Sequence, residues 1–88
     1  MKEFLRNLGI TQQGNVDNDG NYVIDLESDK EFNKVFSILD KSEELDENDE
    51  MSVANIEVSN IMYESDDFTI NLIADFAQNI YKLVIQEN

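Results

Sequence analysis

Almost every side chain able to do chemistry in this sequence is a carboxylate: Asp and Glu number 20 against 6 Lys and Arg, with no His and no Cys in 88 residues. Without imidazole, the commonest general base, the Ser-His and Cys-His nucleophile pairs and nearly all zinc and haem ligation are gone. Without thiols there are no disulfides or thiolate metal sites, and nothing points to an oxidising compartment. Paired carboxylates do cleave glycosides when they flank the bond about 5–9.5 Å apart, but twenty acids in so short a chain make chance pairs unavoidable. Such an enzyme also needs a pocket of about 300–1,000 Å³, and a core this small leaves little to line one. The residue types therefore argue for a non-enzymatic protein with no catalytic residues and no cofactor.

Phosphate and metal motifs are absent or incomplete. Gly9, Gly14 and Gly20 stand alone, so neither of the glycine-rich phosphate-cradling patterns can be written through them. The string Asn15-Val16-Asp17-Asn18-Asp19-Gly20 puts oxygen ligands at positions 1, 3 and 5 and glycine at 6, as in a calcium-binding EF-hand loop. Position 12, however, is Leu26 where a bidentate Glu is required, and the residues that follow read as a strand instead of a helix. A turn leading into a strand is the better reading, a weak calcium site the minor one, and no metal ligands are assigned.

The distribution of charge is more informative. From Ser42 to Tyr81 there are eleven acids and no Lys or Arg, so this segment carries −11 of the net −14. A field of that kind repels nucleic acid and anionic membranes and attracts basic partners over roughly 8 Å at physiological salt. The densest part, Asp40 to Glu50, reads as a solvated loop, as a divalent-ion sink or as a charge-matched docking surface. Continuation of the bias through Glu57, Glu64, Asp66, Asp67 and Asp75 favours docking, because ordinary acidic surfaces are interspersed with Lys.

The elements that must hold these acids follow from periodicity. Met1, Phe4, Leu5 and Leu8 make a helical face ended by Gly9, and a polar loop runs from Thr11 to Asn21 with room for a brief strand near Val16. Tyr22, Ile24 and Leu26 alternate as a strand over 21–27. Ser28 and Glu31 have capping-box spacing ahead of Phe32, Val35, Phe36 and Leu39, which predicts a helix. Residues 40–51 read as an exposed acidic loop, residues 52–64 as a strand with a bulge near 60–63, and Phe68 to Phe76 as a strand with perfect alternation after a Ser65-Asp66-Asp67 turn. In the last segment Phe76, Ile80, Leu83 and Val84 fit a helix while Tyr81, Leu83 and Ile85 fit a strand, and the β-branched and aromatic content favours the strand. The expected fold is one α+β domain over 1–88, with two helices packed on a small antiparallel-rich sheet of three to four strands in the order α-β-α-β-β-β. No apolar run approaches the roughly 20 residues needed to span a bilayer and the N-terminus lacks a signal core, so a cytoplasmic protein is expected.

In size, charge and layout the chain resembles small acidic phage-encoded inhibitors of the anti-CRISPR and anti-restriction type, which imitate nucleic acid. Asn18-Asp19-Gly20-Asn21-Tyr22-Val23-Ile24 followed by Asp25 to Ser28 looks like the turn, strand and acidic segment of one anti-CRISPR family that occupies the PAM-reading region of a Cas nuclease. That likeness covers about a dozen of the 88 residues, and it implies contact roles for Asp17, Asp19, Asp25, Glu27 and Asp29, and a host cytoplasm as the place of action.

The leading expectation is thus an inhibitor that binds the basic nucleic-acid-binding surface of a partner, such as a Cas effector or restriction-type nuclease, without itself binding nucleic acid or membrane. Glu43, Glu44, Asp46, Glu47, Asp49, Glu50, Glu64, Asp66 and Asp67 would stand in for phosphates, which duplex DNA displays at one charge per ~1.7 Å of axis. The alternative is an adaptor or immunity-type protein that neutralises a basic toxin or regulator without mimicry. In that case apolar anchors near Ile61, Met62 and Tyr63 should dominate, so Tyr63 joins the candidate partner-binding residues.

Overall fold

The alternation of Phe68 to Asp75 creates the centre of the fold. In the computed structural model, which describes residues 2–88, this strand is paired on both sides, along its whole length with one neighbour and from Thr69 to Asp75 with the other. The described elements are α1 (Lys2–Leu8), β1 (Asn15–Val16), β2 (Tyr22–Leu26), α2 (Asp29–Lys41), β3 (Asp46–Glu47), β4 (Val53–Ala54), β5 (Val58–Glu64), β6 (Phe68–Asp75) and β7 (Ile80–Glu87). They form a single antiparallel sheet in the order β1-β2-β7-β6-β5-β3, with β4 also on β5.

This corrects the expected three to four strands with two packed helices: among the described residues the sheet has seven strands and dominates, and the helices are short. Two physical reasons account for the difference. Three of the strands, β1, β3 and β4, are two residues long; β1 is the brief strand expected near Val16, whereas at β3 and β4 so short an alternation leaves no separate hydrophobic pattern to detect. The segment expected as one bulged strand is two strands, β4 and β5, separated by a turn at Asn55–Glu57, and the β5–β6 register runs from Val58↔Asp75 to Glu64↔Thr69 without a bulge. The ambiguous last segment is the strand β7.

One face of the sheet holds the core. Cross-strand neighbours Ile24↔Leu83↔Leu72 and Ile85↔Ile70↔Tyr63 are all buried. They are covered by Phe32, Val35 and Leu39, which recur at helical spacing along α2. Ser28 caps this helix by accepting the Glu31 N–H at 3.3 Å, while the Glu31 carboxylate accepts the Glu27 N–H at 2.6 Å. The reciprocal bond therefore lands one residue earlier than in a standard capping box. Gly9, at φ 92°, lets α1 end with Gly9 N–H donating to Arg6 C=O and Ile10 N–H to Leu5 C=O, and buries Ile10 and Leu5 together. Phe4 of α1 stacks on Phe68 with ring centroids 4.5 Å apart.

The helix α2 carries the chain across the core face from β2, near one edge, to the β3 and β4 segments that line the other edge. The acid-rich sequence thereby becomes the border of β5. No helix among the described residues is long and apolar enough to cross a membrane.

A candidate acidic docking surface

An acidic stretch with one apolar residue in eleven has little reason to order itself, yet the backbone of residues 45–52 is fixed to β5. Leu45 is buried in the core and acts as the anchor. Beyond it Asp46 pairs with Glu64 and Glu47 with Tyr63. The Asn48 N–H then donates to Met62 C=O at 2.8 Å, and the Met62 N–H donates to Ser52 Oγ at 3.0 Å. Ser52 Oγ in turn donates to Asn48 C=O at 2.8 Å, and Asn48 Nδ2 reaches Glu64 Oε1 at 3.2 Å. Asn48 and Ser52 thus satisfy the edge of β5 in the gap between β3 and β4, where an unpaired strand would invite aggregation. The side chains of Glu43, Glu44, Asp46, Glu47, Asp49 and Glu50 are exposed on a backbone that is held.

This arrangement brings together acids from two distant parts of the sequence. Glu44, Asp46, Glu64, Ser65 and Asp66 line one open depression of about 280 Å³. Glu44 and Asp46 are two residues apart, as are Glu64 and Asp66, and Asp46 lies directly across the ladder from Glu64. Directly opposite residues of a ladder have Cβ atoms about 4.5–5.5 Å apart, while Glu44 lies in the turn before β3 and Asp66 in the bend after β5. The turn below them is equally tied: Ser65 N–H donates to Phe68 C=O at 2.9 Å, Asn88 Nδ2 to Ser65 C=O at 3.2 Å, and Asn88 N–H to Asp67 C=O at 2.9 Å. Asp66 and Asp67 are exposed at its tip.

Like charges directly across a ladder destabilise a sheet. Asp46 facing Glu64 therefore works against folding. Among the described residues no group of three or more acids is arranged to hold a metal ion.

A second acidic group lies on the other side of the same strands. Glu47 has its pKa raised, first by a hydrogen bond with the Asp49 side chain, then by partial burial and by repulsion from Asp49 and Asp40. Asp40 belongs to the end of α2, where the sequence allows either an exposed loop or the frayed end of that helix. Beneath this group Tyr63, expected at the partner surface, is 1% exposed and sits in the core. Its hydroxyl has no hydrogen-bond partner among the described residues, and burial together with Glu47 and Asp40 pushes its pKa well above the usual tyrosine range.

The acids singled out by the resemblance lie elsewhere. Asp17 and Asp19 are on the β1–β2 turn, Asp25 is on β2, and Glu27 and Asp29 flank the β2–α2 junction, three strands away from β5. The Asp17 carboxylate is turned into its own loop, accepting the Asp19 and Asn21 N–H groups at 2.9 Å each. The EF-hand-like string is a closed turn, with Gly20 at φ 85°.

One more concavity, a cleft of about 340 Å³, opens beside the end of α1 and is lined by Leu5, Arg6, Ile10, Thr11, Gln12, Gln13, Gly14 and Tyr22. It contains no carboxylate, and the Tyr22 hydroxyl in it accepts the Gly14 N–H at 2.9 Å. Sequence reasoning also missed an exposed apolar end of the sheet, formed by Val53, Ile56, Val58, Phe76 and Ile80. The available signal was Ile56 itself, an apolar residue between Asn55 and Glu57 in a turn-like context. Compared with protein-family models, curated proteins and solved structures, the chain matches none.

Proposed function

We propose that this protein is a non-enzymatic inhibitor that occupies the basic nucleic-acid-binding surface of a partner protein, its carboxylates standing in for phosphates. The observation that carries this reading is the depression lined by Glu44, Asp46, Glu64 and Asp66, with Asp46 and Glu64 opposed across the ladder. An arrangement that opposes folding and is nevertheless held by a network of backbone bonds suits a surface kept for binding. A partner that grips nucleic acid already presents Arg and Lys in rows.

The test is competition. A nucleic-acid-processing protein bound by this chain at 50 mM salt is loaded with duplex DNA or structured RNA beforehand, and binding is measured by biolayer interferometry. The expected result is loss of binding on preloading and a steep decline with salt. Binding that persists unchanged on the nucleic-acid-loaded partner rules the reading out.

A further inference from the structure

The acids occupy one end of β5, and the other end is apolar. Ile56 is 91% exposed at the tip of the β4–β5 turn, with Val53, Val58, Phe76 and Ile80 exposed around it. Val58, Asp75 and Ile80 are neighbours across β5, β6 and β7, and the Phe76 N–H donates to Glu57 C=O at 2.9 Å, so the two hairpin ends are joined. The tip is rigid. Asn55 Oδ1 accepts the Glu57 and Val58 N–H groups at 2.9 and 2.8 Å, and the Asn55 N–H donates to Val58 C=O at 3.0 Å. Phe76 packs edge-on against Phe32 and Tyr81, with centroids 6.2 and 6.1 Å away, which connects the exposed end to the core.

We infer that this apolar end is the anchoring half of the docking surface, received by an apolar pocket on a partner protein whose surrounding rim carries Lys or Arg. The inference rests on the proposed function for the identity of the partner, and it adds a contact that phosphate imitation does not supply. Charge decides the rim. Glu57 flanks Ile56 and Asp75 lies between Val58 and Ile80 on the sheet, while Lys82 lies across the ladder from Asp25. Geometry joins the halves: Val58 and Glu64 are the two ends of β5, six residue steps or about 20 Å apart, within the roughly 30 Å width of a standard interface of about 800 Å² per partner. Exposed, preorganised apolar residues are the usual source of binding energy, whereas screened acids mainly set on-rate and selectivity.

The experiment uses the full chain, an I56S variant and a D46N/E64Q variant. A protein retained from lysate by the wild type at 50 mM salt is purified and its affinity for all three is measured at 50 and 500 mM salt. Because Ile56 is exposed, I56S should melt with the wild type, while its affinity falls about tenfold or more at both salts. D46N/E64Q should lose affinity mainly at 50 mM. Equal binding by I56S and wild type at both salts overturns the inference and leaves the acidic reading standing. Loss with I56S alone, with D46N/E64Q unaffected, keeps the anchor and removes mimicry. A wild-type dimer that I56S converts to monomer in sedimentation overturns the inference, since a second copy then covers the patch. Retention of no protein at 50 mM overturns both.

Discussion

Replacing Tyr63 by Phe removes one oxygen from the core and nothing else. The ring stays where it packs beside Ile70, its cross-strand neighbour, at 1% exposure. That hydroxyl has no partner among the described residues, while in the unfolded chain it is fully hydrated. A buried donor left unpaired costs about 1–3 kcal/mol. Taking the lower end, since Glu47 and Asp40 lie close enough to act on the group, Tyr63→Phe should raise stability by about 1 kcal/mol, or roughly 4–8 °C in Tm for a domain of this size. Urea denaturation followed by circular dichroism measures it, with the slope against denaturant expected to stay constant. A loss of 1 kcal/mol or more would refute the reasoning, because it requires that the hydroxyl is hydrogen-bonded and that the acids above it serve as its acceptor.

Other consequences follow from the same interactions. Asp46→Asn removes one member of the like-charged pair with Glu64, so stability should rise by about 0.2–1 kcal/mol at low salt, with a smaller gain in 0.5 M salt, as read by urea melts. Because Glu47 binds its proton more tightly in the folded protein than in the unfolded chain, its ionisation opposes folding at neutral pH. Its contribution to stability should therefore increase as pH falls through its raised pKa and level off below the ordinary glutamate range. Comparing the pH dependence of Tm for wild type and Glu47→Gln isolates the effect, and parallel curves would contradict it. At Gly14 an added Cβ would lie 2.4 Å from the Val23 carbonyl oxygen, 2.8 Å from Ile24 Cγ1 and 2.9 Å from Tyr22 Cε1. Gly14→Ala should cost about 1–3 kcal/mol by forcing the β1 segment away from β2, and an unchanged melting curve would show that the loop simply shifts.

How far the sequence could be read depended on how much each segment buries. Long, half-buried elements carry their period openly, which is why β2, α2, β6 and the helix end at Gly9 follow directly from residue spacing. The segment from Asp40 to Glu50 does not: its order comes from one buried leucine and from Asn48 and Ser52 bonding across to Met62, and long-range hydrogen bonds leave no trace in local periodicity. Ala54, Ile56 and Val58 alternate as a strand would, but Asn55 bends the chain by accepting two backbone N–H groups, so Ile56 becomes a tip instead of a strand residue. The acids of the docking surface were legible as a composition, and their grouping was not. Pairing Asp46 with Glu64 depends on a register fixed by neighbours in the sheet. Tyr63 illustrates the opposite failure, since an aromatic residue next to Met62 and Glu64 looks like an exposed anchor until the parity of β5 places it against the core.

The central claim is that the Asp46–Glu64 depression takes the place of nucleic acid on a basic partner. It is tested most directly by measuring the affinity of wild type and the D46N/E64Q variant for that partner at 50 mM salt, with and without saturating duplex DNA or RNA. The account predicts that nucleic acid abolishes wild-type binding and that D46N/E64Q binds more weakly although it is the more stable protein. Equal affinity of both proteins, or binding indifferent to nucleic acid, would contradict it.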